Sequence, residues 1–135
     1  MFTYHVQIRV TYADTDQMGY VYYGNYARYY EIGRVEALRS LGFSYKEMEA
    51  SGIMMPVYEN ASRYLQPAHY DDLLTVKVVV QQPPSARMVF AYEIYNEGGT
   101  LLHTGLTTLV FLNRQTKKPC RVPGALLERL KPFFA

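Results

Sequence analysis

The chain has 135 residues, 49% of them hydrophobic and 19% charged, with a formal net charge of +2. That length supports one domain with a substantial core, and the composition excludes disorder. The mild charge and an isoelectric point near 8.6 give no ground for a nucleic-acid partner.

Thr3 to Tyr12 reads as a strand, with Tyr4, Val6, Ile8 and Val10 on one face and His5, Gln7 and Arg9 on the other. Ala13 to Gly24 carries turn and loop residues. Asn25 is a good N-cap for a long helix whose apolar face is Tyr26, Tyr29, Tyr30, Gly33, Ala37, Leu38 and Leu41. Glu31, Arg34, Glu36 and Arg39 supply its polar side, and Gly42 is a natural stop. Ser44 caps a second, short helix ending near Gly52.

The remainder is β-rich. "IMMPVYENASRYLQP" is extended, with an irregularity at Pro56. Asp71-Asp72 marks a turn before "LLTVKVVVQQ", and Pro83-Pro84-Ser85 breaks the chain. "ARMVFAYEIYN", a hairpin turn at Glu97-Gly98-Gly99 and "TLLHTGLTTLVFLN" follow. A short helix starting near Pro123 closes the chain. One long helix followed by antiparallel hairpins predicts an α+β fold, with the sheet wrapped around the helix.

Several chemistries find no support. Cys120 is the sole cysteine, so no intrachain disulfide forms, and its Pro119 and Arg121 neighbours suggest a loop or edge thiol rather than a nucleophile. His5, His69 and His103 are scattered and lack metal-ligand spacing. There is no phosphate loop and no Gly-x-Ser-x-Gly elbow. "MFTYHVQIRV" does not read as a signal peptide, and no run of about 18 apolar residues spans a membrane, so cytoplasm is the expected compartment. Fourteen tyrosines suit ligand walls and subunit contacts, which makes an oligomer the expectation.

One stretch stands out: "YADTDQMGYVYYGNYARYYEIGR". Asp16 precedes small, apolar and aromatic residues and lies just before the predicted helix start. A carboxylate in such surroundings is costly unless it is paired or used. The first N–H groups of the helix, near Tyr23 to Tyr26, can hold a developing oxyanion. Together they make a workable hydrolase site, in which the acid attacks a carbonyl or activates water. The bland alternative is a turn or cap acid, and that reading is assigned to Asp14.

This segment closely resembles the one that identifies the 4-hydroxybenzoyl-CoA thioesterase family of hot-dog folds. Asp14, Asp16, Gly19, Val21, Tyr22, Tyr23, Asn25 and Tyr26 match in place, and "SRYLQPAHYDDLLTV" is a second match at the expected separation. The resemblance implies a single hot-dog domain over residues 1–135, in which a curved antiparallel sheet wraps the helix. It implies that Asp16 is the catalytic carboxylate, as nucleophile or general base, and that the Tyr23 backbone N–H polarises the thioester carbonyl. It further implies that Gly19 lets backbone approach the substrate and that Asn25 fixes the helix start. Val21 and Tyr22 complete the implied substrate-binding set. The substrate would be an acyl-CoA thioester, with no cofactor, no metal and no membrane insertion. Two copies would pair edge to edge, as a homodimer or a dimer of dimers, with sites at the interface. In the branch associated with the Tol–Pal envelope system a His commonly stands where this chain has Tyr23; the chain is closer to the aromatic-acyl branch and to many uncharacterised bacterial members, and an aromatic substrate does not follow, since only a backbone N–H is needed there. Arg63, Arg87, Arg114, Lys117 and Lys118 are candidates for the phosphates of coenzyme A.

Two other readings compete. One is a non-catalytic hot-dog domain that binds acyl groups or scaffolds an assembly. The other is a dehydratase on the same fold, whose chemistry usually needs a His on the helix; Tyr26 to Gly42 contains none.

Overall fold

The computed structural model describes Met1–Phe134. Strand β1 (Phe2–Arg9) leads through two 3-10 turns, Tyr12–Asp14 and Tyr23–Asn25, into helix α1 (Tyr26–Ser40) and a short helix α2 (Tyr45–Ala50). Strands β2 (Ile53–Met54), β3 (Val57–Tyr64), β4 (Leu73–Val80), β5 (Arg87–Tyr95), β6 (Leu101–Val110) and β7 (Leu112–Asn113) follow, then helix α3 (Gly124–Leu130). Five strands form one antiparallel sheet in the order β1-β4-β5-β6-β3, and β2 pairs with β7 in a small second sheet.

The predicted α+β architecture is the observed one. Period-two alternation puts one side chain in two on the inner face. One register row runs Val6–Val76–Ile94–His103–Tyr64 across all five strands, and the next runs Tyr4–Val78–Tyr92–Gly105–Ser62. Helix α1 lies against this face, burying Tyr26, Tyr29, Tyr30, Ala37 and Leu38. The helix ends as predicted: the Phe43 N–H donates to the Leu38 carbonyl across Gly42 at 2.9 Å. Ser44 caps α2 by accepting from the Glu47 N–H at 3.1 Å. Pro56 divides β2 from β3, as the sequence suggested.

Glycine at position 105 is required by close approach. A methyl group there would sit 2.2 Å from the Tyr30 hydroxyl, whose ring is fully buried and stacked on Tyr92 at 4.2 Å. Gly105→Ala is therefore expected to destabilise the fold by about 1–3 kcal/mol, read as a lower urea midpoint with an unchanged slope.

Three expectations are corrected. The first strand stops at Arg9 rather than Tyr12, because Val10 turns to pair with the Asp71–Asp72 turn, its N–H donating to the Asp72 carbonyl at 2.9 Å. Asn25 does not cap α1 with its side chain; its Nδ2 donates instead to the Asp14 carbonyl at 2.7 Å, tying the helix start to the preceding loop. Arg34, predicted on the polar side of the helix, is only 5% exposed. It donates to the hydroxyls of Tyr45 and Tyr92 at 3.1 Å each and to Thr107 at 3.4 Å. Among the described residues no carboxylate pairs with it. Three hydroxyl dipoles, rather than an anion, meet the buried charge.

Candidate active site

The two acids of "DTD" have different environments. Asp14 is 4% exposed. Its carboxylate accepts from the Thr11 N–H at 3.0 Å and pairs with the Arg28 guanidinium. Burial alone would push its carboxyl up, but the Thr11 N–H, the nearby Tyr29 hydroxyl and Arg28 together hold it below the usual value. This is the loop-stabilising acid that the sequence suggested.

Asp16 is half-buried and sits at the base of a tight hairpin. Its N–H donates to the Tyr20 carbonyl at 2.8 Å, and Thr15 bridges Val21. Its Oδ1 accepts from the N–H groups of Met18 at 2.9 Å and Tyr20 at 3.2 Å. Oδ2 has no hydrogen-bond partner among the described residues. The carboxylate is thus held in one orientation through one oxygen while the other remains available. Gly19, at φ +81°, makes this turn possible; a side chain there would meet open space, so backbone conformation and not crowding selects glycine.

The hairpin is fastened to the rest of the fold. The Val21 N–H donates to the Ala68 carbonyl at 2.8 Å, Tyr20 bridges His69, and the Tyr22 N–H donates to the Asp14 carbonyl at 2.9 Å. The chain then enters the 3-10 turn Tyr23–Asn25, which runs straight into α1. Helix starts leave their first N–H groups without intrahelical acceptors. Those of Tyr23 and Gly24 meet no acceptor among the described residues.

A cavity of about 280 Å³ joins these features. Asp16, Val21 and Tyr23 line it, together with Tyr26, Tyr64 and Leu65 among others. Burial pushes the Tyr26 hydroxyl up to about 12, so this phenol stays uncharged even in mildly alkaline solution. Of the six residues singled out in the sequence, the cavity brings together Asp16, Tyr23 and Val21. Gly19, Tyr22 and Asn25 lie outside its wall and act on the shape of the loop. Tyr22 covers Gly24 and leans on Tyr23, with ring centres 4.5 Å apart. The far wall, from Tyr64 to Pro67, comes from the end of β3 and the loop after it. None of the six residues singled out in the sequence lies in that stretch. Its signal was the run of apolar and aromatic residues in "RYLQP", which local pattern alone cannot assign to a cavity. The exposed Arg63, Arg87, Arg114, Lys117 and Lys118 do not line the cavity. Among the described residues no cluster of three His, Cys, Asp or Glu could hold a metal, and no helix is long and apolar enough to cross a membrane.

A long helix wrapped by an antiparallel sheet, together with the relatives that follow, places the chain in a class: the hot-dog thioester hydrolases. The thioesterase-like superfamily matches residues 10–130, and the chain belongs to that family. It is 31% identical to the acyl-CoA thioester hydrolase YbgC of Escherichia coli O157:H7, covering 92% of each chain. It is also 31% identical to the 1,4-dihydroxy-2-naphthoyl-CoA hydrolase of Thermosynechococcus vestitus, covering 93% of this chain and 86% of that one. The crystal structure of a DHNA-CoA thioesterase from Staphylococcus aureus superposes with a TM-score of 0.86 at 38% identity, over 99% of this chain and 87% of that one.

Proposed function

We propose that this protein hydrolyses the thioester of an acyl-CoA to the free acid and coenzyme A, with Asp16 as the catalytic carboxylate and the Tyr23 N–H as oxyanion donor. One observation carries the reading: Asp16, with an uncommitted oxygen, and the open helix start at Tyr23 line the same cavity. The Tyr23 N–H, at the positive end of α1, would stabilise the negative oxygen that forms on the carbonyl. Asp16 would either attack the carbonyl carbon, giving a mixed anhydride that water cleaves, or take a proton from the attacking water. In both routes the C–S bond breaks and the thiolate leaves with little need for a strong general acid. The relatives that act on CoA thioesters support this substrate class.

The test is thiol release from a panel of short, long and aromatic acyl-CoAs. Release from at least one is expected; silence across the panel from folded protein would return the chain to the acyl-binding or scaffold reading.

The second part of the proposal is a homo-oligomer. β3 is a sheet edge with a partner on one side only, and most of its residues are exposed. Such an edge is a ready template for another strand, and a second copy fits it by symmetry. Sedimentation is expected to give twice or four times the 15.6 kDa chain mass, and a monomer at micromolar concentration would remove this part.

A further inference from the structure

A second groove of about 340 Å³ adjoins the cavity and shares Tyr23 and Tyr64 with it. It runs between the start of α1, at Gly24 and Ala27, and the inner face of β3, at Asn60 and Ser62. The thioesterase reading places the reacting carbonyl at Tyr23, so an acyl group lying away from Asp16 enters this groove. The two polar side chains on its β3 wall are two residues apart and share one face of the strand.

Each is oriented from behind by a buried network. Arg34 can only donate, and it donates to the Thr107 hydroxyl at 3.4 Å. Thr107 passes its own proton to the Asn60 Oδ1 at 2.7 Å. The Asn60 amide is thereby fixed with its oxygen turned inward, leaving its NH₂ donors for the groove. Behind Ser62, the Tyr30 hydroxyl bonds Ser62 Oγ at 2.6 Å and also the Nε2 of fully buried His103. The His103 Nδ1 has no partner among the described residues. A buried N–H without an acceptor is the rarer and costlier alternative to a bare ring nitrogen. The proton therefore sits on Nε2 and is donated to Tyr30, which donates to Ser62. The Ser62 proton is left to point outward.

From this geometry we infer that Asn60 and Ser62 form a two-donor subsite that selects acyl groups carrying a hydroxyl or oxo oxygen. The hydrocarbon part of the group would lie on Ala27, Tyr30 and Tyr64. An acyl group without the oxygen would cover both donors and leave them unpaired, and that asymmetry is the source of selectivity. The inference rests on the thioesterase reading and specifies its substrate class.

Matched CoA thioesters test it: butanoyl against 3-hydroxybutanoyl, and benzoyl against 4-hydroxybenzoyl, compared by kcat/KM. At least about a tenfold preference for the oxygenated member of one pair is expected. Asn60→Asp, which replaces donors by an acceptor at constant shape, and Ser62→Ala should each remove most of that preference, by slowing the oxygenated member and, for Ser62→Ala, by relieving the penalty on the plain one. Thr107→Val removes the hydroxyl that orients Asn60 and one of the three that meet Arg34; it should lower the unfolding free energy and reduce the preference in the protein that remains folded. Equal kcat/KM within both pairs, or variants that slow both members alike, would overturn the subsite while leaving the thioesterase intact. Hydrolysis of none of the four, with another acyl-CoA of the panel cleaved, would overturn the subsite alone; silence across the whole panel would overturn the thioesterase reading and the subsite with it.

Discussion

Replacing Asp16 by Asn is expected to lower turnover of every accepted acyl-CoA by about 10²–10⁴-fold while leaving the fold unchanged. The structural half follows from the hairpin. The two N–H groups that orient Asp16 both bond Oδ1, and an Asn oxygen accepts them equally well. The chemical half follows from the other oxygen, which becomes an amide nitrogen and can neither attack a carbonyl nor take a proton from water. KM should change little, because the substituted atom acts mainly on the transition state. Asp14→Asn is the contrasting control. It breaks the pairing with Arg28 and lowers stability, with turnover lost only as far as the loop loosens. Urea melts and thiol-release rates on the two variants separate the roles. Wild-type turnover in Asp16→Asn would remove Asp16 from the mechanism.

The second large effect is on stability against acid. His103 is fully buried, and burial pushes its pKa down to about 4 from an ordinary value near 6.5. Between those values the unfolded chain binds a proton that the folded chain refuses. Stability therefore rises with pH across this window, is complete above about 6.5 and falls toward pH 4. The shift corresponds to about 3 kcal/mol. His103→Gln keeps a donor near Tyr30 but has nothing to titrate. Its unfolding free energy, followed by urea denaturation from pH 7 to 4, should fall less steeply than that of wild type. Parallel profiles would show that His103 titrates alike in both states.

Much of this architecture was legible because it is local. Gly42, Ser44, Pro56 and the Asp71–Asp72 turn each act within a few residues of themselves, so backbone chemistry places them without knowledge of the rest. The alternation along β4 and β5 fixes their faces for the same reason. Arg34 was misplaced because helical periodicity counts a charge as outward. What draws it inward is three hydroxyls, two of them on β5 and β6, and no local pattern anticipates those partners. Asn25 was a sound cap by residue type, but the 3-10 turn before it already has helical backbone, so its side chain is free to reach Asp14. The cavity was half visible: "DTDQMGYVYY" is one contiguous wall, whereas Tyr64 to Pro67 arrive through the register of β3 on β6.

The hairpin that carries Asp16 is fastened to the loop after β3 through Tyr20 and Val21, and its two ends are closed on each other by the Tyr22 N–H on the Asp14 carbonyl. A loop held at both ends surrenders its conformational freedom when the protein folds, not when a ligand arrives. The orientation of Asp16 is thus a property of the free protein, and no ordering entropy of this segment would be subtracted from the affinity for a ligand that meets it.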